Sequence, residues 1–316
     1  MKKFLTVLLV IVIMAGIVAG CYFAYKYFTK ESKVEEKKEE EVAIAMDPIF
    51  TAENFPKIDA SLATQPLTNA IYRNFTGIDV DIDSLDYSNT HPGYIRLIDG
   101  EKDLIVVTEP SEDEQNYAKE KGVELEIIPV VREGFVFFVN EDNPVDNLTF
   151  EQIQKIYTGE ITNWSEVGGP DKEIRAFQRN LNSGSQTGML SLVMKGLKLK
   201  EPVKEDRIGT MIDIVNEVAD YDNGLNSIGY SYYYYATTMY DDIDKDVADR
   251  IKLLGVDGVK PNYDTIKDET YPIKTAYYIV MRKNEPEGSP ARKLAEAMLS
   301  ERGQAVAKEA GYVPVK

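Results

Sequence analysis

Leu125-Glu-Ile-Ile-Pro-Val-Val131, continued by Phe135-Val-Phe-Phe-Val139, is a long extended passage that carries the chain out of one α/β unit and into another. Upstream of it, Leu104-Ile-Val-Val107 is a continuous apolar run, the pattern of a strand buried on both faces of a parallel sheet. Ser111-Glu-Asp-Glu114 then predicts a helix running to Lys121, with acidic side chains at its positive end. Downstream, Asn143-Pro144 turns the chain and Thr149 predicts the cap of a helix over residues 150–157. Asn226-Ser-Ile-Gly-Tyr230 predicts a short strand leading into the tyrosine-rich residues 232–235. That aromatic cluster reads as core and lobe-surface packing in preference to a ligand platform. A second extended passage, Tyr277-Tyr-Ile-Val-Met281, returns, and Ser289-Pro290 predicts the cap and first turn of a helix ending at Leu299. Two α/β units joined by two extended crossings predict a hinge, with a cleft between two lobes.

Composition narrows the function. With 316 residues, 43% of them apolar, the chain can bury a large core in two lobes. A formal net charge of −17 argues against a nucleic-acid partner, whose phosphates need Lys and Arg. One cysteine and one histidine exclude a structural disulfide and a Cys/His metal site. No cofactor is implied.

The N-terminus places the chain at a membrane. Lys2 and Lys3 precede an uncharged run over residues 4–25, and Cys21 follows Val18-Ala19-Gly20 inside it. These residues resemble the lipobox of a bacterial lipoprotein, in which residues 1–20 are a signal peptide and Cys21 takes the lipid. The competing reading is an uncleaved membrane-spanning segment, since the run is long enough to cross a bilayer. In both readings the lysines stay inside and the remainder of the chain lies outside the membrane. Residues 29–41 are charged and of low complexity, so residues 21–52 read as a solvated tether and folded sequence is expected near Phe55-Pro56.

The chemistry concentrates in Arg179-Asn-Leu-Asn-Ser183-Gly184-Ser185-Gln-Thr187, which should open a helix running to Lys195. A helix start leaves backbone N–H groups unpaired, glycine admits close approach, and serine hydroxyls add donors. Arg179 supplies a planar fork that matches a tetrahedral oxyanion. The segment reads as an oxyanion cradle, although Ser-Gly-Ser alone also fits a plain capping turn.

Further motifs stand at Asn143-Pro-Val145, at Leu148-Thr149, and at Ile156-Tyr-Thr-Gly-Glu-Ile-Thr-Asn-Trp164 with Val167-Gly-Gly169. Arg179 with Ser183-Gly184-Ser185, Ser227-Ile-Gly-Tyr230 and the tail Gly311-Tyr-Val-Pro314 complete the set. On these stretches the chain, from Phe55 onward, resembles the substrate-binding proteins of bacterial phosphate ABC transporters. Trp164 is expected to pack and not to bind. The resemblance implies a type II periplasmic-binding-protein fold, with residues 53–133 plus 272–316 as lobe 1 and residues 134–271 as lobe 2. It also implies inorganic phosphate as ligand, permease subunits as partners and a monomer at the extracytoplasmic face of the cell membrane.

Carried over by motif, Arg179, Ser183, Gly184 and Ser185 correspond to the family's phosphate-binding arginine and Ser-Gly-Thr turn. Thr64 and the N–H of Gln65, in Asp59-Ala-Ser61-Leu-Ala-Thr64-Gln-Pro66, correspond to the first phosphate loop, with Ser61 a further hydroxyl. Thr90, in Ser88-Asn-Thr-His-Pro-Gly93, corresponds to the ligand serine of the second loop, and the neighbouring His91 reads as a surface turn residue. The family's strand after Leu104–Val107 ends in an aspartate that accepts a proton from hydrogen phosphate. Thr108 stands there, with Glu109 next along. Thr108 and Glu109 are therefore secondary candidates, and alternate directions along a strand set Glu109 away from the cleft unless the strand end turns.

Three other classes fit parts of the pattern. A surface sensor or adhesin would use the same cleft without transport, and another oxyanion such as sulfate or molybdate would use the same donors. A phosphate-ester hydrolase lacks paired carboxylates, a metal cluster and a base beside Ser183 or Ser185, so no catalytic residue is assigned.

Overall fold

The computed structural model describes residues 47–79, 85–220 and 224–316. Residues 1–46 lie outside it, and with them Cys21, the apolar run and the charged tether. Folded sequence starts earlier than Phe55: Phe50 is buried, and the amides of Ile49 and Phe50 donate to Phe75 O at 2.9 and 3.1 Å.

In chain order the strands are β1 (Ile58–Ala60), β2 (Leu104–Val107), β3 (Leu125–Asn140), β4 (Asn147–Leu148), β5 (Arg175–Ala176) and β6 (Gln178–Arg179). They continue as β7 (Arg207–Ile208), β8 (Ser227–Tyr232), β9 (Ile251–Leu253), β10 (Gly255–Val256), β11 (Lys274–Arg282) and β12 (Val313–Pro314). The main sheet runs β1-β2-β11-β3-β8-β5, with β9 and β12 also paired to β3. β2 is buried along its whole length, as its unbroken apolar run predicts, but it is parallel only to β1 and antiparallel to β11, so the sheet is mixed and not parallel.

β3 is the spine. Its 16 residues pair antiparallel with β11 up to Gly134, then with β8 from Phe135↔Tyr232 to Phe138↔Gly229. The two extended passages foreseen from sequence are thus one unbroken strand and its antiparallel return. Phe135 to Val139 are apolar on both faces and buried, whereas Glu126 to Pro129 are partly exposed. Glu133 sits at the exchange and is buried, accepting the amide of Gly134 at 2.8 Å and that of Tyr234 at 3.3 Å. Burial pushes its carboxyl up to about 8.

The local signals hold where they were strongest. Ser111 caps the helix Glu112–Glu120 and Thr149 caps Phe150–Thr158, each with a reciprocal capping box. Ser289 caps Pro290–Leu299. Trp164 is fully buried and donates its Nε1–H to Asn226 O at 3.0 Å, a packing role as expected. The helix expected to run to Lys195 is α-helical only over Gly184–Gly188, and Met189–Met194 continues as π-helix. Tyr234 stacks on Tyr312 with centroids 3.7 Å apart, which is core packing, but Tyr232 and Tyr235 also face the cleft.

Candidate functional site

A cavity of about 660 Å³ lies between the two lobes. From the first lobe it is lined by Ser61, Leu62, Ala63, Thr90, His91 and Thr108, and from the second by Arg179 and residues 180–185. Each arrives from the end of a strand or the start of a helix, where backbone donors are left over.

The first loop corrects the sequence reading. Thr64 and Gln65 do not face the cleft: the Thr64 hydroxyl is buried against Val106 O and Ser61 O, and the Gln65 amide donates to Ser61 O at 3.1 Å. The cause is a 3₁₀ turn over Leu62–Thr64, which closes i→i+3 bonds one register earlier than an α-helix starting at Pro66. Ser61 and the first-turn residues Leu62 and Ala63 face the cleft in their place.

Thr90 does reach the cleft, at the first position of the helix Thr90–Ile98 behind Asn89 at φ 73°. Its loop is held by a residue the sequence reading passed over. Asp59 is fully buried on β1 and accepts from Ser88 N at 2.7 Å, Ser88 Oγ at 2.6 Å and Arg96 Nη1 at 3.1 Å. His91 is neither isolated nor buried. It pairs through Nδ1 with Glu114 Oε1 at 2.8 Å and is 39% exposed, while burial raises the Glu114 carboxyl above the usual range.

Thr108 and Glu109 part at the end of β2. Thr108 lines the cleft, and its buried hydroxyl has no partner. Glu109 points the other way, accepts a hydrogen bond from Tyr278 OH at 3.0 Å and lines a separate cavity with Gln115 and Lys119. Glu109 is therefore not brought to the cleft, because the strand end does not turn and the alternation of side chains persists.

On the second lobe, Ser183 caps the helix Gly184–Gly188 and its Oγ accepts Gln186 N at 3.3 Å. Arg179 is 8% exposed. Its amide is held by Gln186 Oε1 at 2.9 Å and Tyr230 OH at 3.0 Å, and Tyr230 also donates to Gln186. Its guanidinium donates through Nε to Ile208 O at 3.2 Å and through Nη2 to Gly209 O at 3.0 Å. Among the described residues no carboxylate lies within ion-pair distance of it. Burial pulls its pKa below the usual value, the mark of a desolvated cation.

The lobes touch at Gly184 and Asn182. A Cβ on Gly184 would stand 2.7 Å from Thr108 Oγ1 and 3.1 Å from Thr90 Oγ1, and Asn182 Nδ2 donates to Asp113 Oδ2 at 2.9 Å. Among the described residues six buried side-chain polar atoms have no hydrogen-bond partner, and five of them line this one cavity. They are the hydroxyls of Thr108, Ser185, Ser231, Tyr235 and Tyr277. Orphaned buried hydroxyls each cost about 1–3 kcal/mol, so their concentration beside an unpaired guanidinium marks a place for an oxygen-rich anion. Among the described residues no cluster of three or more His, Cys, Asp or Glu could hold a metal, and no helix is long and apolar enough to cross a membrane.

Residues 59–302 match the model of a PBP superfamily domain. Among curated proteins, the phosphate-binding protein PstS of Staphylococcus haemolyticus is 29% identical over 233 residues, covering 72% of this chain and 70% of that one. PstS of Bacillus subtilis is 26% identical over 260 residues, covering 82% and 80%. Among solved structures, a putative phosphate ABC transporter substrate-binding protein from Clostridium perfringens with bound phosphate superposes with a TM-score of 0.62 at 23% identity. That match covers 83% of this chain and 100% of the other. A phosphate transport receptor from Vibrio cholerae gives 0.58 at 20%, covering 81% and 98%. These structural likenesses establish the two-lobed fold.

Proposed function

The chain belongs to the PBP superfamily, and we propose that within it this protein captures inorganic phosphate between its lobes and delivers it to an ABC transporter permease. The observation that carries the proposal is the buried, unpaired guanidinium of Arg179 facing a cavity of orphaned hydroxyls. Arg179 supplies the charge, and Ser183, Gly184 and Ser185 supply donors from the second lobe. Thr90, Thr108 and Ser61 supply hydroxyls from the first, with the amides of Leu62 and Ala63 beside them. The curated relatives bear the name phosphate-binding protein, which favours this ligand.

Solute capture, not chemistry, is the role this arrangement supports, since Ser183 and Ser185 have no base beside them. The lobes divide at the β3 partner exchange, with residues 53–133 and 272–316 on one side and 134–271 on the other. Cys21 carries the lipid, residues 21–47 tether the receptor at the extracytoplasmic face, and the receptor acts as a monomer. Calorimetric titration of the full-length chain with phosphate tests the ligand, and absence of binding would refute it. Labelling with radioactive palmitate, lost in Cys21→Ala, tests the anchor.

A further inference from the structure

We propose that the same cleft takes the dianionic head of a small phosphomonoester, with the organic part of the ligand lying along Ser231 and Tyr235. This rests on the reading of the cleft as a phosphate site and names a wider ligand class for it.

The first argument is the charge of the lining. Among the described residues no carboxylate forms an ion pair with Arg179 or a hydrogen bond with Thr108, so none is set to accept a proton from the bound head. Glu109 is turned away to Tyr278, and Asp59 is closed off by Ser88 and Arg96. Glu114 is engaged by His91 and by the Ser111 amide, and Asp113 is held by Asn182. Asp213, on the helix Met211–Ala219, lines the cavity near enough to act on Arg179, but it is exposed to solvent. Inorganic phosphate at neutral pH keeps a P–OH, for which the lining beside Thr108 offers hydroxyl oxygens in place of a carboxylate. A monoester with a second pKa of about 6 presents three bare oxygens and no proton, which suits a head site built of a guanidinium, hydroxyls and amides.

The second argument is room. The cavity of about 660 Å³ falls within the roughly 300–1,000 Å³ typical of pockets for organic ligands. The lobes already meet through Gly184 against Thr108 and through Asn182 on Asp113, so this space persists with the lobes in contact.

The third argument is the second group of orphans. Thr108 and Ser185 belong to the oxyanion cradle. Ser231 and Tyr235 instead lie on β8 and on the segment after it. Their buried hydroxyls have no partner within the protein and call for polar groups from a ligand. Hydroxyl groups on the ester part would supply them.

Calorimetry on the full-length chain with inorganic phosphate, methyl phosphate and glycerol 3-phosphate tests this, with glycerol as the control. Glycerol 3-phosphate should bind about tenfold tighter than inorganic phosphate. Tyr235→Phe and Ser231→Ala should each weaken glycerol 3-phosphate about three- to tenfold, by a larger factor than they weaken phosphate. Thermal melts of both variants establish that they fold. Phosphate binding tighter than both esters would overturn the inference and leave the phosphate reading standing. Equal losses for ester and phosphate in Tyr235→Phe would overturn the placement of the organic part. No binding of any probe would remove both readings together.

Discussion

Gly184→Ala separates closing from folding. Gly184 is not in the left-handed region, so alanine meets no backbone strain there, and as the better helix former it leaves the ligand-free Tm unchanged or slightly raised. The added Cβ would stand 2.7 Å from Thr108 Oγ1 and 3.1 Å from Thr90 Oγ1, both on the opposite lobe. Overlap of that kind costs about 1–3 kcal/mol. Because the lobes can part to relieve it, the cost falls on the closed, ligand-bound state. Phosphate affinity should drop about 5- to 150-fold. Calorimetry reads the affinity, a melt without ligand reads the stability, and small-angle scattering reads a smaller compaction when phosphate is added. Affinity within about twofold of the unaltered protein, with an unaltered melt, would refute closure onto Gly184.

Arg179→Ala should weaken phosphate binding by about 2–4 kcal/mol in calorimetry, while the ligand-free melt holds or rises because an uncompensated buried cation has gone. Asp59→Ala should lower stability by about 3 kcal/mol in urea unfolding and weaken phosphate as well, since the Ser88–Thr90 loop loses its anchor. Glu133→Gln should stabilise the protein at pH 8. Burial raises the folded carboxyl to about 8, so the folded state holds a proton that the unfolded state has released. Wild-type stability therefore falls as pH rises from the unfolded value toward 8, and the gap to the variant should vanish at pH 4; a gap independent of pH in denaturant titrations would refute this. Thr108→Asp should make phosphate binding outlast sulfate binding at neutral pH, as competition calorimetry would record, by offering an acceptor that only a protonated oxyanion can use.

What the sequence made legible was what is encoded locally. The apolar run of β2, the Ser111, Thr149 and Ser289 caps and the Ser183-Gly184-Ser185 turn each depend on neighbours within a few residues, so pattern alone located them. Thr64 was misassigned because α and 3₁₀ starts differ by a single register, and the hydroxyl goes to Val106 O, a partner 42 residues away. Asp59, Gln186 and Tyr230 shape the site through partners 29 to 51 residues distant, which no local pattern discloses. The orphaned hydroxyls of Ser231, Tyr235 and Tyr277 were equally hidden. A residue's lack of a partner is a property of the assembled cavity, and along the chain these three read as ordinary strand and core positions.

The unbroken run of β3 through both lobes has a mechanical consequence. A receptor whose lobes are joined by loops can swing freely, but here any rotation must be absorbed as torsion in a hydrogen-bonded ribbon. That torsion falls at Gly134, where β11 leaves the strand and β8 joins it. Closure therefore winds a spring whose rest angle is set by sheet twist. The angle between the lobes is thereby biased by the twist of the sheet that joins them.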